Sequence, residues 1–161
     1  MPTTSYAIAI GSNRRGRHGA PEREVAAAIR ALGGVVAASG IVASAPLGPS
    51  IRRFANAAVL IQTRETPPEL LARLKRIERD FGRRRGQRWG ARVIDLDIVL
   101  WSAGSWAEDD LIVPHPAFRT RRFVLDPLLG IAAAWRDPLT NSTVRQLAHR
   151  AQAVDRRPRR P

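Results

Sequence analysis

Residues 94–101, Ile-Asp-Leu-Asp-Ile-Val-Leu-Trp, leave the backbone few options. A strand turns successive side chains to opposite faces, so Ile94, Leu96, Ile98 and Leu100 should share one face and Asp95, Asp97, Val99 and Trp101 the other. The first face is wholly apolar and belongs in a core. The second carries two carboxylates with backbones roughly 6 to 7 Å apart. In a half-buried site such a pair repels unless positive charge lies between, and a divalent cation meets that need.

Magnesium suits the pair: it takes oxygen ligands, keeps several waters, and is commonly held by one or two carboxylates plus substrate phosphates. Just upstream, Arg83, Arg84, Arg85, Arg88 and Arg92 fall within ten residues, and guanidinium groups grip phosphate oxygens through paired hydrogen bonds. Metal and arginines together point to polyphosphate chemistry. The plainer alternative is a strand with solvent-facing aspartates beside a solvated basic loop.

Whole-chain numbers limit what this segment can belong to. A length of 161 residues, 44% hydrophobic and 25% charged, suits one globular domain. We expect a single catalytic domain over residues 1–154 and a frayed basic tail over 155–161. Without cysteine, a disulfide framework and a zinc-thiolate site are both excluded. No apolar run reaches membrane-spanning length and residues 1–20 carry no leader pattern, so a cytoplasmic address is expected. The net charge of +13 favours polyanionic partners without choosing among them. All but one of the 27 basic residues, Lys75, are arginine, a skew that genomic base composition also produces.

Ser5 to Ile10 alternates as a first strand ending at Gly11-Ser-Asn13. A helix follows, with Pro21 in its first turn, Val25, Ala28, Ile29 and Leu32 at helical spacing, and Gly33-Gly34 as its stop. Val35 to Ser44 and Phe54 to Thr63 read as strands joined by a turn-rich loop. In the second helix Thr66 is the cap, Pro67 the first residue, Glu69 the partner in a capping box and Gly82 the stop, with Leu70, Leu71, Leu74, Ile77 and Phe81 as the buried stripe. Asp126-Pro127 and Ser142 are expected to start two shorter C-terminal helices. This order predicts an α+β domain of the ferredoxin-like (split βαβ) kind: a largely antiparallel sheet, helices on one face, and a helical C-terminal extension.

Several motifs, in order, carry a resemblance over nearly the whole chain: Ala9-Ile-Gly-Ser-Asn13, Pro46-Leu-Gly-Pro49, Phe54-Ala-Asn-Ala-Ala-Val59, Ile77-Glu78 with Gly82-Arg83, the run from Arg88 to Ile98, Val113-Pro-His-Pro116, and Arg121-Arg-Phe123-Val-Leu-Asp-Pro127. The chain resembles the hydroxymethyl-dihydropterin pyrophosphokinase family. The resemblance implies a magnesium-dependent transfer of diphosphate from ATP to the hydroxymethyl group of 6-hydroxymethyl-7,8-dihydropterin in folate biosynthesis, with attack at the β-phosphorus and AMP as co-product. It implies that Asp95 and Asp97 hold two magnesium ions, and that Arg83 and Arg92 stabilise the transition state. ATP contacts would come from Glu78, Arg85, Arg88, Trp89, Ile98, His115 and Arg121. The pterin would meet Ser44, Ala45, Leu47, Phe54, Asn56, Trp89 and Phe123. The expected partners are small molecules, with no nucleic acid and no membrane, and the expected state is a monomer.

Taken without the resemblance, Phe54 and Phe123 fit a plain core, and Asn56 in an apolar strand fits a structural hydrogen bond as well as a ligand contact. His115, between two prolines, fits an extended loop. Against the family pattern, Ala91 stands for a proline, Ser44-Ala45 for threonine-proline, and Phe54 for an aromatic that often bears a hydroxyl. The arginine loop is one residue shorter than in some members, so Arg83 and Arg84 both remain open for the first catalytic place. No role attaches to the basic segment 14–19. Two other classes stay open: a basic nucleic-acid-binding module on the same fold, and a metal-dependent phosphodiesterase using the aspartate pair.

Overall fold

The computed structural model of the protein describes residues 1–44, 53–82 and 93–156. Ala45, Leu47, Arg83, Arg84, Arg85, Arg88, Trp89, Arg92 and residues 157–161 lie outside the described residues.

Local chemistry sets the first helices. In α1 (Pro21–Leu32), a first-turn proline and Glu22 and Glu24 favour the N-terminus, and Gly33, with φ of 67°, ends the helix where a side chain would be strained. In α2 (Pro67–Asp80) the capping box forms as expected: Thr66 Oγ1 accepts the Glu69 N–H at 3.4 Å and the Glu69 carboxylate accepts the Thr66 N–H at 3.0 Å. Such a cap contributes about 1 kcal/mol. Leu70, Leu74, Ile77 and Phe81 are buried beneath it.

The strands are β1 (Thr4–Ser12), β2 (Val35–Ala38), β3 (Val42–Ser44), β4 (Phe54–Thr63) and β5 (Asp95–Trp101). They form one sheet in the order β2-β4-β1-β5, all neighbours antiparallel, with β3 also paired to β4. The expected continuous strand over 35–44 is split. At the break Ser39 donates its N–H to the Ala58 carbonyl and accepts the Ala58 N–H on Oγ, so a side chain replaces part of the ladder.

A second difference lies in β5. Ile98 pairs with Ile8 but Leu100 pairs with Ala7, which leaves Val99 as an extra residue, a β-bulge. Ile94, Leu96 and Ile98 keep their expected place in the core against α1 and α2. Beyond the bulge the alternation resets: Leu100 joins Val99 in the core on the opposite face, and Trp101 crosses to the first, stacking on Tyr6 at 5.8 Å. Trp101 therefore does not share a face with the aspartates.

Helices cover both faces of the sheet, not one as expected. The second face packs on α3 (Arg122–Ala132) and α4 (Val144–Asp155) through Val99, Leu100, Leu125, Leu128, Val144 and Leu147. The first of these helices starts four residues ahead of Asp126 and contains Pro127. Burial of Val124, Leu125 and Leu128 outweighs the one backbone hydrogen bond the proline removes. The cap of α4 is Thr143 with Gln146 as its box partner, not Ser142. A short hairpin not foreseen in the sequence, β6 (Trp106–Glu108) and β7 (Leu111–Val113), follows β5. Between the last two helices, buried Asp137 accepts hydrogen bonds from Arg119, Thr140 and the Leu139 N–H. Among the described residues no helix is long and apolar enough to cross a membrane.

Candidate active site

Pairing in the sheet decides which side chains meet. Partners across antiparallel strands point to the same face. Gly11 is paired with Asn56 on one side and Asp95 on the other, and one step along, Ala9 is paired with Ala58 and Asp97. Asn56, Gly11 and Asp95 thus form one row across the sheet, and Ala58, Ala9 and Asp97 the next. The alanines of the second row belong to the core under α3 and α4, so both rows lie on that face. Strands stand about 4.8 Å apart, which puts the Asn56 and Asp95 backbones roughly 10 Å from each other across Gly11.

Glycine in the middle of that row leaves the floor open. A Cβ at Gly11 would stand 3.2 Å from Asn56 Oδ1, so the carboxamide lies directly over the space that glycine vacates. Phe54, two residues from Asn56 on β4, faces the same way. Phe123 lies on the first turn of α3, the helix packed on that face. These two rings are 39% and 54% exposed, which removes the plain-core alternative for both. The Arg121 guanidinium lies over the Phe123 ring at 5.7 Å, holding a cation at the head of α3. Ser44 sits on β3, its backbone paired with Phe54.

The carboxylates reach a second feature, the outer edge of β5. As the last strand of the sheet, β5 exposes a row of backbone N–H and C=O groups. Two polar groups cover parts of it. Buried Glu78, on α2, accepts the Leu96 N–H at 3.0 Å, and the His115 N–H donates to the Val99 carbonyl at 3.0 Å. By the two-residue period of the strand, the Ile98 N–H and C=O point to the same edge as the Leu96 N–H. His115 is oriented further: its Nδ1 accepts the Ala117 N–H at 3.2 Å, so the neutral ring carries its proton on Nε2 as a donor.

Along this edge runs a cavity of ≈ 380 Å³ lined by Leu71, Lys75, Glu78, Asp95, Leu96, Asp97, Ile98, Asp109, Asp110, Leu111, Ile112, His115 and Pro116. That is the size range of small-molecule sites. Five of the expected residues, Glu78, Asp95, Asp97, Ile98 and His115, converge on it. Leu71 and Lys75 were missed as lining residues, although they lie two helical turns and one helical turn before Glu78 on α2. The acidic turn Asp109-Asp110 and Ile112 were missed because the hairpin carrying them was.

Asp95 and Asp97 are half-buried, and both engage other groups of the protein. Among the described residues no set of three or more carboxylates and histidines gathers tightly enough to enclose a metal ion. Two carboxylates alone fit a cation that brings its own waters and takes further oxygens from a substrate, as magnesium does, and do not fit a closed structural metal site.

Comparison with known proteins identifies the family of the chain. The family model described as 7,8-dihydro-6-hydroxymethylpterin-pyrophosphokinase (HPPK) matches residues 7–133. A 2-amino-4-hydroxy-6-hydroxymethyldihydropteridine pyrophosphokinase of Haemophilus influenzae is 38% identical over 136 residues, covering 81% of this chain and 82% of that relative. One of the same name from Synechocystis is 39% identical over 104 residues, or 65% of this chain, and the match spans 53% of the relative, just over half its length. A crystal structure of an HPPK-DHPS in complex with substrates overlays with a TM-score of 0.71 across 93% of this chain and 45% of that one. Its sequence identity is 12%, so that likeness bears on the fold alone. The matched span runs from Ala7 in β1 to the end of α3 and takes in every strand and helix that carries the site, and the chain belongs to the HPPK family.

Proposed function

We propose that the protein transfers diphosphate from ATP to the hydroxymethyl group of 6-hydroxymethyl-7,8-dihydropterin, a step of folate biosynthesis, and releases AMP. One observation carries this: Phe54, Asn56, Asp95 and Asp97 share a single face of the sheet, so an aromatic ring and an amide stand on the same face as a carboxylate pair. A flat heterocycle edged with donors and acceptors needs the first, and a polyphosphate needs the second. Phe54 and Phe123 take the faces of the pterin and Asn56 its edge, with Ser44, Ala45, Leu47 and Trp89 completing the pocket by family likeness.

ATP lies along the β5 edge. There the Ile98 backbone offers a donor and an acceptor to the base, Glu78 fixes the strand that presents them, and His115 Nε2–H and the Arg121 guanidinium face anionic oxygens. Arg85 and Arg88 join them in holding the phosphates. Arg83 and Arg92, with Arg84 as the alternative for the first place, neutralise charge that grows on the transferred group. Asp95 and Asp97 would hold two magnesium ions, which screen phosphate charge and align the two substrates. The hydroxymethyl oxygen attacks the β-phosphorus and gives up its proton to solvent, the bond from that phosphorus to the α,β-bridging oxygen breaks, and AMP departs with that oxygen.

The finer fold description belongs to the same proposal. Strand β4 lies between β1 and β2, and β1 between β4 and β5, which supports two split βαβ units of the ferredoxin-like kind sharing a sheet. Residues 1–154 form the catalytic domain, acting as a monomer on small molecules in the cytoplasm, without nucleic acid or membrane.

Product analysis tests the function. With ATP, magnesium and the reduced pterin, AMP should accumulate in step with pterin diphosphate and only when pterin is present. Accumulation of ADP, or AMP release that ignores the pterin, would refute diphosphate transfer.

A further inference from the structure

The basic segment after β1 has a structural partner that its sequence does not reveal. Gly16 and Gly19 exchange backbone hydrogen bonds at 3.0 and 3.1 Å, closing a tight turn with Arg17 and His18 at its tip. Gly19, at φ of 124°, adopts a conformation that other residues rarely reach. The turn is gripped from inside by Glu24 of α1, which is fully buried. One carboxylate oxygen accepts the His18 N–H at 2.7 Å and the other pairs with His18 Nδ1 at 2.8 Å. A carboxylate only accepts, so Nδ1 donates. Burying a carboxylate is costly where an apolar side chain could sit, and the cost is offset here by two short hydrogen bonds that fix one ring in one orientation.

That ring is aimed at the stem of the arginine segment. His18 packs on Phe81 with ring centroids 4.9 Å apart, and the Arg17 guanidinium lies 6.0 Å from the same ring. Phe81 and Gly82 are the last described residues before position 83, and Val93 is the first after position 92. Val93 touches the same turn. A Cβ at Gly16 would come within 2.6 Å of both Val93 Cγ1 and Glu24 Oε1, so that glycine is the seat into which Val93 fits.

We infer that the 16–19 turn, locked by the His18–Glu24 pair, is a clasp that holds together the two ends of the segment between Gly82 and Val93, and that His18 and Glu24 are positioning residues for diphosphate transfer. The inference rests on the proposal that arginines of residues 83–92 act in the reaction. Neither His18 nor Glu24 lines the cavity along β5. They act through Phe81 and Val93, and a small misplacement of charge-stabilising groups is enough to slow chemistry.

The test compares His18→Ala, Glu24→Gln and Gly16→Ala with Glu22→Ala, which removes a surface pair with Arg53 and a first-turn charge of α1 but no contact of the 16–19 turn. His18 is partly exposed, so its truncation leaves the core intact. We expect kcat to fall about tenfold in His18→Ala and Gly16→Ala, with both KM values within about twofold, as for groups that act only through transition-state geometry. Glu24→Gln keeps an acceptor for the His18 N–H and should fall between these variants and wild type. Glu22→Ala should match wild type. Amide hydrogen exchange should quicken at Phe81, Gly82 and Val93 in His18→Ala and Gly16→Ala and stay unchanged in the strands of the sheet. Wild-type kcat in His18→Ala, a parallel rise in both KM values, or unchanged exchange at Phe81 and Val93 would each overturn the clasp. Arg83→Ala and Arg92→Ala separate the two ideas: if both keep wild-type kcat the proposed arginine role fails, while exchange at the stem still decides the clasp.

Discussion

Gly11→Ala should weaken pterin binding without harming the fold. Gly11 is not among the glycines with positive φ, so alanine adopts its backbone conformation without strain, and the loss of chain entropy in the unfolded state favours the variant by about 0.5 kcal/mol. The added Cβ meets Asn56 Oδ1 at 3.2 Å, whereas ordinary contact begins at 3.4 Å, so the carboxamide must retreat by at least the 0.2 Å difference between those two distances. The other neighbour, the Ala55 carbonyl at 4.0 Å, is undisturbed. Losing a hydrogen bond to a buried ligand outright costs about 1 to 3 kcal/mol. Displacing one by a few tenths of an ångström should cost about 1 kcal/mol, roughly a fivefold rise in the pterin KM. The ATP KM should hold, because no atom of Asp95 lies within 4 Å of the new methyl. Steady-state kinetics with each substrate varied would measure both constants, and a thermal melt should show the variant at least as stable as wild type. A double-mutant cycle sharpens the test: in an Asn56→Ala background Gly11→Ala should have no further effect on the pterin KM. A fivefold effect that persists there, or an ATP KM that moves with the pterin KM, would refute the role given to Asn56.

Asp95→Ala and Asp97→Ala should each lower turnover on the order of a thousandfold while far-UV circular dichroism stays that of wild type, since both side chains are half-buried rather than core; near-normal rates in either variant would end the two-ion proposal. Glu78→Ala leaves the Leu96 N–H at the β5 edge without its acceptor and should cost about 2 kcal/mol in urea unfolding, with Glu78→Gln recovering most of it. If alanine and glutamine cost the same, the hydrogen bond to Leu96 is not what holds the edge. Burial pushes the Asp137 carboxyl up, but hydrogen bonds from Arg119, Thr140 and the Leu139 N–H hold it down at about 2 against an ordinary 3.8. A lowered native value means stability that is fully present above the ordinary range and lost as pH falls through the native value, here about 2 kcal/mol between roughly pH 5 and pH 2. Urea titrations across that window should show this loss in wild type and not in Asp137→Asn; the same slope in both would assign the acid sensitivity elsewhere.

How legible each element was depended on how local its causes are. The ends of β4 and the capping box of α2 came out as expected because alternation and capping act over a few residues. Trp101 was put on the wrong face because the bulge answers to two cores, one under α1 and α2 and one under α3 and α4, and no short window contains both. Pro127 looked like a helix start, and the apolar contacts of Val124 and Leu125 with the sheet carried the helix past it. Within the site, Asp95 and Asp97 announce themselves by spacing. Gly11 does not, because its use lies in the space left for Asn56 on the neighbouring strand. The bond between Glu78 and Leu96 joins residues 18 apart that only the packing of α2 beside β5 brings together.

The extra residue at Val99 also bears on how such a chain tolerates change in length. In an unbroken strand, adding or removing one residue rotates every later side chain by half a turn. A bulge absorbs that shift at one point. Ahead of Val99 the aspartates answer only to their pairing with β1; behind it, Trp101 and the β6–β7 hairpin follow their own phase. Insertions in the hairpin turn at Asp109-Asp110 can therefore reshape the rim of the cavity along β5 while the carboxylate pair stays in register, so the wall of the site can vary without touching its floor.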